Sequence, residues 1–112
     1  IFVFGSNMFG YHDGGAAFIA SSKFGAVFGI SEGLQGQSYG INSMSGLDVL
    51  SMQIERFIAF AKTYKDYNFL VTEIGCGIAG FKPEQVAPLF KNAVHVENIH
   101  LPERFWKVLT DA

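Results

Sequence analysis

Apolar residues along this chain follow two spacings, short continuous runs and a recurrence every three or four positions. Continuous apolar runs bounded by turn residues are typical of buried strands, and the longer recurrence is typical of amphipathic helices. The clearest helical pattern covers residues 46–64, where Leu50, Ile54, Phe57 and Ala61 fall on one face. The two patterns alternate, which predicts an alternation of strands and helices.

The predicted strands are residues 1–4, 26–28, 69–74 and 94–99, and the predicted helices are 16–24, 46–64, a segment that opens at Pro83, and 102–109. Gly25 is placed to end the first helix in the left-handed conformation. Pro88 falls inside the third helix, where a proline removes one hydrogen bond and clashes with the preceding turn, so we expect that helix to be short or kinked. Residues 32–40 are rich in glycine and polar side chains and are expected to form an ordered loop, although residues 38–41 can pair as a strand.

This order of elements predicts the α/β class, specifically a three-layer α/β/α sandwich with a mainly parallel mixed sheet and helices on both faces. The 112 residues suffice for one domain, spanning 1–112, and 49% hydrophobic residues suffice for a packed core.

Charge and cysteine content exclude several classes of function. Ten acidic and eight basic residues give a net charge of -2, and Lys23 is the only basic residue before Arg56, so no nucleic-acid patch is evident. No apolar run is long enough to span a bilayer, and a cytoplasmic location is the default expectation. A single cysteine, Cys76, excludes an intrachain disulfide and a multi-cysteine zinc site. No metal or cofactor is predicted. The chain begins inside a strand pattern without Met, so we expect a few residues to precede it.

Two glycine-rich turns follow predicted strands. Gly-Ser-Asn at 5–7 follows the first strand and leads to Asp-Gly-Gly-Ala-Ala at 13–17, and Gly-Cys-Gly-Ile-Ala-Gly-Phe at 75–81 follows the strand that ends at Ile74. Glycine lets backbone amides approach a ligand closely and converge on an anion without a charged side chain. Ligands of such sheets lie beyond the carboxyl ends of the strands, so the two turns predict two sides of one cleft.

Two other interpretations of the second turn stay open. Gly75, Gly77 and Gly80 match the dinucleotide spacing G-x-G-x-x-G, but that fingerprint requires a helix that begins inside the motif, whereas here the helix opens at Pro83. The glycines would also suit a tight connection between strand and helix in which they serve turn geometry alone.

The order and spacing of the two turns resemble those of macro domains, which bind ADP-ribose. The resemblance is strongest to the branch of terminal ADP-ribose glycohydrolases that act on glutamyl esters, and the run at 32–39 is similar to one in small phage and bacterial macro-like proteins. The resemblance implies that Asn7 contacts the distal ribose, that residues 14–16 line the same end, that the loop 75–81 holds the phosphates, and that Phe81 covers the ribose. The ligand-binding residues predicted in this way are Gly5, Ser6, Asn7, Asp13, Gly14, Gly15, Ala16, Gly75, Cys76, Gly77, Ile78, Ala79, Gly80 and Phe81. The alternative for Asn7 is a turn residue that caps its own backbone.

The catalytic groups of the glutamyl-ester branch have no counterpart at the matching positions. Ala79 stands where that branch has an acidic residue, and residues 41–44 lack the lysine that serves as its nucleophile. Asp13 and His12 are the nearest candidates to orient a water, with a helix-capping acid and an exposed loop histidine as the alternatives. The catalytic residues are therefore unknown.

Other chemically suggestive residues have simpler interpretations. Cys76 would need a neighbouring base to act as a nucleophile. His95 and His100 are expected at the surface, since neither has carboxylates at metal-ligand spacing. The polar residues 32–38 could contact an adenine or ribose, or could satisfy their own loop. Phe105 and Trp106 are expected on the core face of the last helix.

The sequence thus predicts a macro-like domain that binds ADP-ribose, an ADP-ribosylated molecule or a related nucleoside diphosphate ribose, and weak ADP-ribosyl hydrolase activity is left open. The alternatives are an active hydrolase or deacylase that uses unmatched residues, and a phage-encoded interaction module with a vestigial cleft. The oligomeric state is not determined by the sequence.

Overall fold

The computed structural model describes residues 1–111. Its strands are β1 (Phe2–Ser6), β2 (Gly33–Gln35), β3 (Ser38–Asn42), β4 (Phe69–Val71) and β5 (Ile99–His100). Its helices are α1 (Gly15–Lys23), α2 (Leu47–Thr63), α3 (Pro83–Val86) and α4 (Glu103–Thr110), and a 3-10 helix (Ala87–Ala93) directly continues α3. Within this described part of the chain, no helix is both long and apolar enough to cross a membrane.

The five strands form one sheet in the order β2-β3-β1-β4-β5. Strand β1 pairs in parallel with β3 and β4, β4 pairs in parallel with β5, and only β2 and β3 are antiparallel. The predicted α/β class and mainly parallel mixed sheet are confirmed. Because β1 and β4 are parallel neighbours, their carboxyl ends lie side by side, and the two glycine-rich turns follow those ends.

Two hydrophobic cores lie on opposite faces of the sheet, because successive side chains of a strand point to opposite sides. Val3 belongs to the main core, which α2, the segment 83–93 and α4 cover. Phe4 belongs to the minor core, which consists of Phe4, Ala17, Ala20 and Ala26 under α1. Helices therefore lie on both faces, and the structure is the predicted three-layer sandwich.

The helix predictions are confirmed where periodicity or proline carried them. Helix α2 buries Leu50, Ile54 and Phe57 as the pattern predicts. The segment that opens at Pro83 has one α-helical turn and then becomes a 3-10 helix with Pro88 near its start, as expected of an interrupted helix. Gly25 has φ +75° just beyond α1, which confirms it as the left-handed stop.

The strand predicted at 26–28 is wrong. The side chain of Gln35 replaces a neighbouring strand there: the Val27 N–H donates to Gln35 Oε1 (2.7 Å), and Gln35 Nε2 donates to the carbonyl of Ile30 (3.1 Å). The Ile30 N–H donates to the Val27 carbonyl, which closes a turn instead of extending the chain. Val27 and Phe28 consequently stay exposed.

Other boundaries also differ from the prediction. The expected loop at 32–40 is a hairpin in which β2 and β3 pair across the turn at 36–37, and β3 lies beside the central strand with all five residues buried. The strand predicted at 94–99 is reduced to β5, because residues 94–98 form turns after the 3-10 helix. Strand β4 ends at Val71, since the Ile74 N–H bonds back to the Thr72 carbonyl (2.8 Å).

Candidate functional site

A cavity of about 580 Å³ opens at the carboxyl ends of β1 and β4. Its first wall is the loop 7–14 with the first turn of α1, and its second wall is the segment 72–79. All of the predicted ligand-binding residues line it except Gly80 and Phe81. The structure therefore brings the two glycine-rich turns together as two sides of one cleft.

The first wall ends in a helix N-terminus that no side chain caps. Gly14 is the N-cap of α1 and makes no side-chain capping bond. The N–H groups of Gly15, Ala16 and Ala17 find no acceptor among residues 1–111, since the first helical bond runs from Phe18 to the Gly14 carbonyl. Such amides and the helix dipole together favour an anion.

The second wall is a loop that turns back on itself. The Cys76 N–H donates to the Glu73 carbonyl (3.1 Å), and the Phe81 N–H donates to the Gly75 carbonyl (2.8 Å). Gly75 has φ +79°, and a side chain there would press on Phe81 and Val86. The N–H groups of the next three-residue stretch, 77–79, have no acceptor in the described chain. A second group of free amides thus lies across the cleft from the first.

Ile78 connects the two walls. Its side chain is 81% exposed, although it is apolar. Its Cδ1 atom lies 3.9 Å from the position that a Cβ atom on Gly14 would occupy. The isoleucine therefore reaches across the opening between the glycine-rich turns and partly encloses the space between them.

Asn7 holds the first wall in place with its side chain. Its Oδ1 accepts hydrogen bonds from the N–H groups of Phe9 (3.2 Å) and Tyr11 (3.0 Å), and its Nδ2 donates to the Tyr11 carbonyl (2.8 Å). The amide is thus bonded mainly within its own loop, as in the alternative interpretation of a turn residue. Asn7 lines the cleft, but most of its side-chain hydrogen bonds are already made.

His12 is not the exposed loop residue of the sequence interpretation; it is 3% exposed. Its Nε2 lies 3.5 Å from Ser6 Oγ at the floor of the cleft, and its Nδ1 has no hydrogen bond of good geometry within residues 1–111. Burial lowers the pKa of the ring, while the Ile30 backbone and the Asp13 carboxylate oppose the shift. No carboxylate bonds to the imidazole among the described residues, and the contact between Ser6 Oγ and Nε2 is long, so the pair is an incomplete nucleophile and base set.

Cys76 is not an activated nucleophile. Burial raises the pKa of the thiol, and the nearby Glu73 carboxylate raises it further. The Sγ atom makes only a weak contact with the Ile74 carbonyl at 3.7 Å, and no base bonds to it among the described residues. The thiol therefore stays protonated at neutral pH and contributes to the cleft as a small apolar side chain.

Several lining residues were not predicted from the sequence: Tyr11, Ala17, Ser43, Met44, Thr72, Glu73 and Ile74. Most of them directly follow β3 or β4, so the rule that ligands lie beyond strand ends would have found them. Tyr11 carried no such signal. The lining includes the two carboxylates Asp13 and Glu73 but neither lysine nor arginine.

The remaining candidates lie outside the cleft. Phe81 packs against the main core instead of covering the cavity. Glu32 pairs with Arg56 (2.7 Å), and Gln35 and Ser38 bond to their own hairpin, which agrees with the simpler interpretation of that run. His95 and His100 are exposed, and no metal-binding group of side chains occurs within residues 1–111.

No protein-family model matches this chain, and neither does any curated protein. The chemistry of the site consequently rests on its own groups. These are amide donors on both walls, two carboxylates, and the hydroxyl groups of Ser6, Ser43 and Thr72.

Proposed function

We propose that this protein binds ADP-ribose or a related nucleoside diphosphate ribose, with the phosphates held between the two walls of the cleft. The observation that carries the proposal is two sets of backbone N–H groups without an acceptor among the described residues. One set, at 15–17, lies at the uncapped N-terminus of α1, and the other, at 77–79, lies on the facing loop. Backbone amides on two sides can bind two linked phosphates where no basic side chain is present. The resemblance of both turns to those of macro domains supports the same ligand.

The acidic side chains favour a sugar phosphate over a bare anion. Asp13 and Glu73 would repel inorganic phosphate, but their carboxylates accept hydrogen bonds from ribose hydroxyl groups. A cavity of about 580 Å³ lies within the range of small-molecule sites. The cleft thus combines donors for phosphate with acceptors for sugar.

The proposal is binding and does not include turnover. The matched positions lack the acid and the lysine of the glutamyl-ester branch. Among the described residues, no base bonds to Cys76, and no carboxylate bonds to the imidazole of the Ser6–His12 pair. Hydrolysis needs a nucleophile or a water held by a base, and the residues around this cleft do not form a complete set.

Titration calorimetry with ADP-ribose, ADP, AMP and inorganic pyrophosphate tests this proposal. Micromolar affinity for ADP-ribose, with weaker binding of AMP and pyrophosphate, is the expected result. Equal affinity for pyrophosphate and ADP-ribose would contradict the role given to the carboxylates. Absence of binding to all four compounds would overturn the proposed function.

Replacing Gly77 with Val tests the second wall. A Cβ atom at Gly77 meets no atom within 4 Å in the free protein, so the free energy of unfolding should change by less than about 0.5 kcal/mol. The added side chain would stand where the phosphates lie, and we expect affinity for ADP-ribose to fall by at least about 100-fold, or 2.7 kcal/mol.

Ala59→Val, at an exposed position of α2 outside the cleft, is the matched control and should leave the affinity unchanged. Calorimetry gives the affinity, and urea unfolding followed by circular dichroism gives the stability. A folded Gly77→Val protein that binds like the wild type would show that the loop 75–81 does not hold the phosphates.

A further inference from the structure

Of the three histidines, His12 alone is buried, and it lies in the loop that forms the first wall. Its Nε2 meets Ser6 Oγ at 3.5 Å, and its Nδ1 is enclosed without a hydrogen-bond partner of good geometry in residues 1–111. A neutral imidazole tolerates one weakly satisfied nitrogen. An imidazolium has two N–H donors to satisfy, and leaving a charged donor unpaired in a buried site is strongly unfavourable.

The surroundings of His12 are mostly aromatic. The ring is perpendicular to the ring of Phe4 in β1 (centroids 5.2 Å apart), and it makes a second edge-type contact with Phe28 of the neighbouring turn (6.5 Å). Strand β1 carries no titratable side chain, α1 has only Lys23 in its last turn, and the turn 24–31 has none. Asp13, on the same loop, is the one charged side chain that acts on the ring, and it makes no salt bridge with it.

The loop has few other attachments to the rest of the molecule. Its own hydrogen bonds run through Asn7, and a single backbone bond, from the Gly29 N–H to the Gly10 carbonyl (2.8 Å), joins it to the turn 27–30. Met8 and Phe9 are exposed, and Tyr11, which is 49% exposed, stacks on Phe28 of the same turn (ring centroids 5.0 Å apart). Segments with few buried apolar contacts open locally at low free energy. His12 is the one buried side chain of the loop 7–14, so its packing, together with the Tyr11–Phe28 stack, keeps this wall closed.

We propose that His12 is a proton-operated latch for the loop 7–14: the neutral ring packs between Phe4 and Phe28 and holds the wall closed, and the wall opens when the ring takes up a second proton. The bond that changes is the contact between Nε2 and Ser6 Oγ. With the neutral ring, the hydroxyl group of Ser6 can donate to Nε2, and the single ring proton lies on Nδ1 near the Ile30 backbone. With the charged ring, Nε2 also carries a proton, so it can no longer accept from Ser6, and a positive charge is buried beside two aromatic rings.

The direction of the pH dependence follows from linkage. The pKa of His12 is lowered in the closed state, chiefly by burial, and returns to about 6.5 when the loop opens and the ring meets water. The closed wall is therefore fully favoured above pH 6.5 and loses stability as the pH falls through the lowered value. One proton is involved, so the opening equilibrium rises by up to about tenfold per pH unit.

Amide hydrogen exchange of the free protein between pH 7.5 and 5.5, expressed as protection factors, tests the latch directly. The reporters are the hydrogen-bonded amides of Phe9, Gly10 and Tyr11, with the α2 amides of Ile54 and Ile58 as internal references. We expect protection of the three loop amides to fall by up to about tenfold per pH unit below 6.5, while the references keep theirs. Parallel loss in α2 would mean global unfolding and would overturn the latch.

His12→Phe removes the proton and keeps an aromatic ring between Phe4 and Phe28, so its loop protection should not vary with pH. His12→Gln, which keeps a polar contact for Ser6, should give the same flat profile and serves if the Phe variant does not fold. His95→Gln and His100→Gln remove exposed histidines and should behave like the wild type. Asp13→Asn should also retain the pH dependence, because Asp13 only modulates it. A pH dependence that survives in both His12 variants would overturn the proposal.

The consequence for binding rests on the proposed function. If the first wall must be closed to bind, affinity for ADP-ribose should fall by up to about tenfold from pH 6.5 to 5.5 in the wild type and stay constant in His12→Phe. Affinity that rises on acidification would show that the charged ring attracts the phosphates without opening the wall, and would overturn the latch. If ADP-ribose does not bind at any pH, the proposed function fails, and hydrogen exchange alone decides the latch.

Discussion

The hydrophobic cores on the two faces of the sheet differ greatly in size: the main core has eighteen buried hydrophobic residues and the minor core has four. The second wall of the cleft stands on the main core, since Ile74 belongs to it and Gly75 lies against Val86 and Leu50. The first wall stands on the minor core, through Phe4 and His12. One wall is therefore expected to be rigid and the other adjustable, an arrangement that lets a ligand enter a preformed phosphate loop and be enclosed from the opposite side.

The largest expected difference between the two faces is the loss of stability when one buried phenylalanine on each face is replaced by alanine. Phe57 is fully buried between Tyr39 and Phe69 (ring centroids 5.1 and 5.4 Å away), so Phe57→Ala should lower the free energy of unfolding by about 3–5 kcal/mol. Phe4 is equally buried, but Phe4→Ala should lower the free energy of unfolding by about 3 kcal/mol or less, because the alanines of α1 and the loop can close part of the space. Urea unfolding followed by circular dichroism measures both.

The same pair separates stability from loop order. Phe4→Ala should expose the amides of Phe9 and Tyr11 to exchange, since Phe4 supports His12, whereas Phe57→Ala should leave the difference between loop and α2 amides unchanged. Equal losses of stability on the two faces, with no selective loop effect, would contradict the division into a rigid and an adjustable side.

The main-core face was the more predictable one from the sequence. The helical spacing of Leu50, Ile54 and Phe57 and the breaking effect of Pro88 are local signals, and both are confirmed. The strand predicted at 26–28 failed because the hydrogen-bond partner of Val27 is the side chain of Gln35, eight residues further along the chain, which no apolar pattern encodes. Local sequence patterns therefore predict elements whose apolar side chains pack on the main core, and they fail for a segment whose conformation depends on one side chain from another segment.

The site divides in a similar way. The two glycine-rich turns of the site were predictable, because the glycine spacing and the apolar runs that precede it can be identified from the sequence alone. The burial of His12 was not, since it depends on Phe4 and on Phe28 arriving from separate parts of the chain. Residues such as Thr72 and Glu73 were within reach of the strand-end rule, whereas the place of Tyr11 depends on how the Asn7 side chain folds its loop.

High pH should destabilise the main core through Tyr39, as low pH should destabilise the loop over the minor core through His12. Burial raises the pKa of Tyr39 to about 12, with a further rise from Glu32 that Arg56 opposes. Because this value lies above the ordinary pKa of about 10, the stabilisation is complete below pH 10 and is lost as the pH rises through 12, by up to about 1.4 kcal/mol per pH unit. Spectroscopic titration of tyrosinate, with urea unfolding at each pH, checks this expectation.

Tyr39→Phe is the control for that titration. It should remove the titration phase near pH 12 and flatten the loss of stability above pH 10, while leaving the acid response of the loop 7–14 untouched. A Tyr39→Phe protein that still loses stability with the wild-type slope would assign the alkaline sensitivity to another group.

The smallest effect is expected within β4, where two adjacent residues face the two sides. Leu70 is 56% exposed and shares with Phe2 the face that α1 covers, whereas Val71 is 6% exposed in the main core. Leu70→Thr should change the free energy of unfolding by no more than about 0.5 kcal/mol, since threonine suits a half-exposed strand. Val71→Thr, similar in shape to the residue it replaces, buries a hydroxyl group without a partner and should lower stability by about 1–3 kcal/mol. Urea unfolding of the two variants side by side resolves this difference. Equal losses would mean that Leu70 is buried in solution, which would contradict the smaller extent of packing on the α1 face of the sheet.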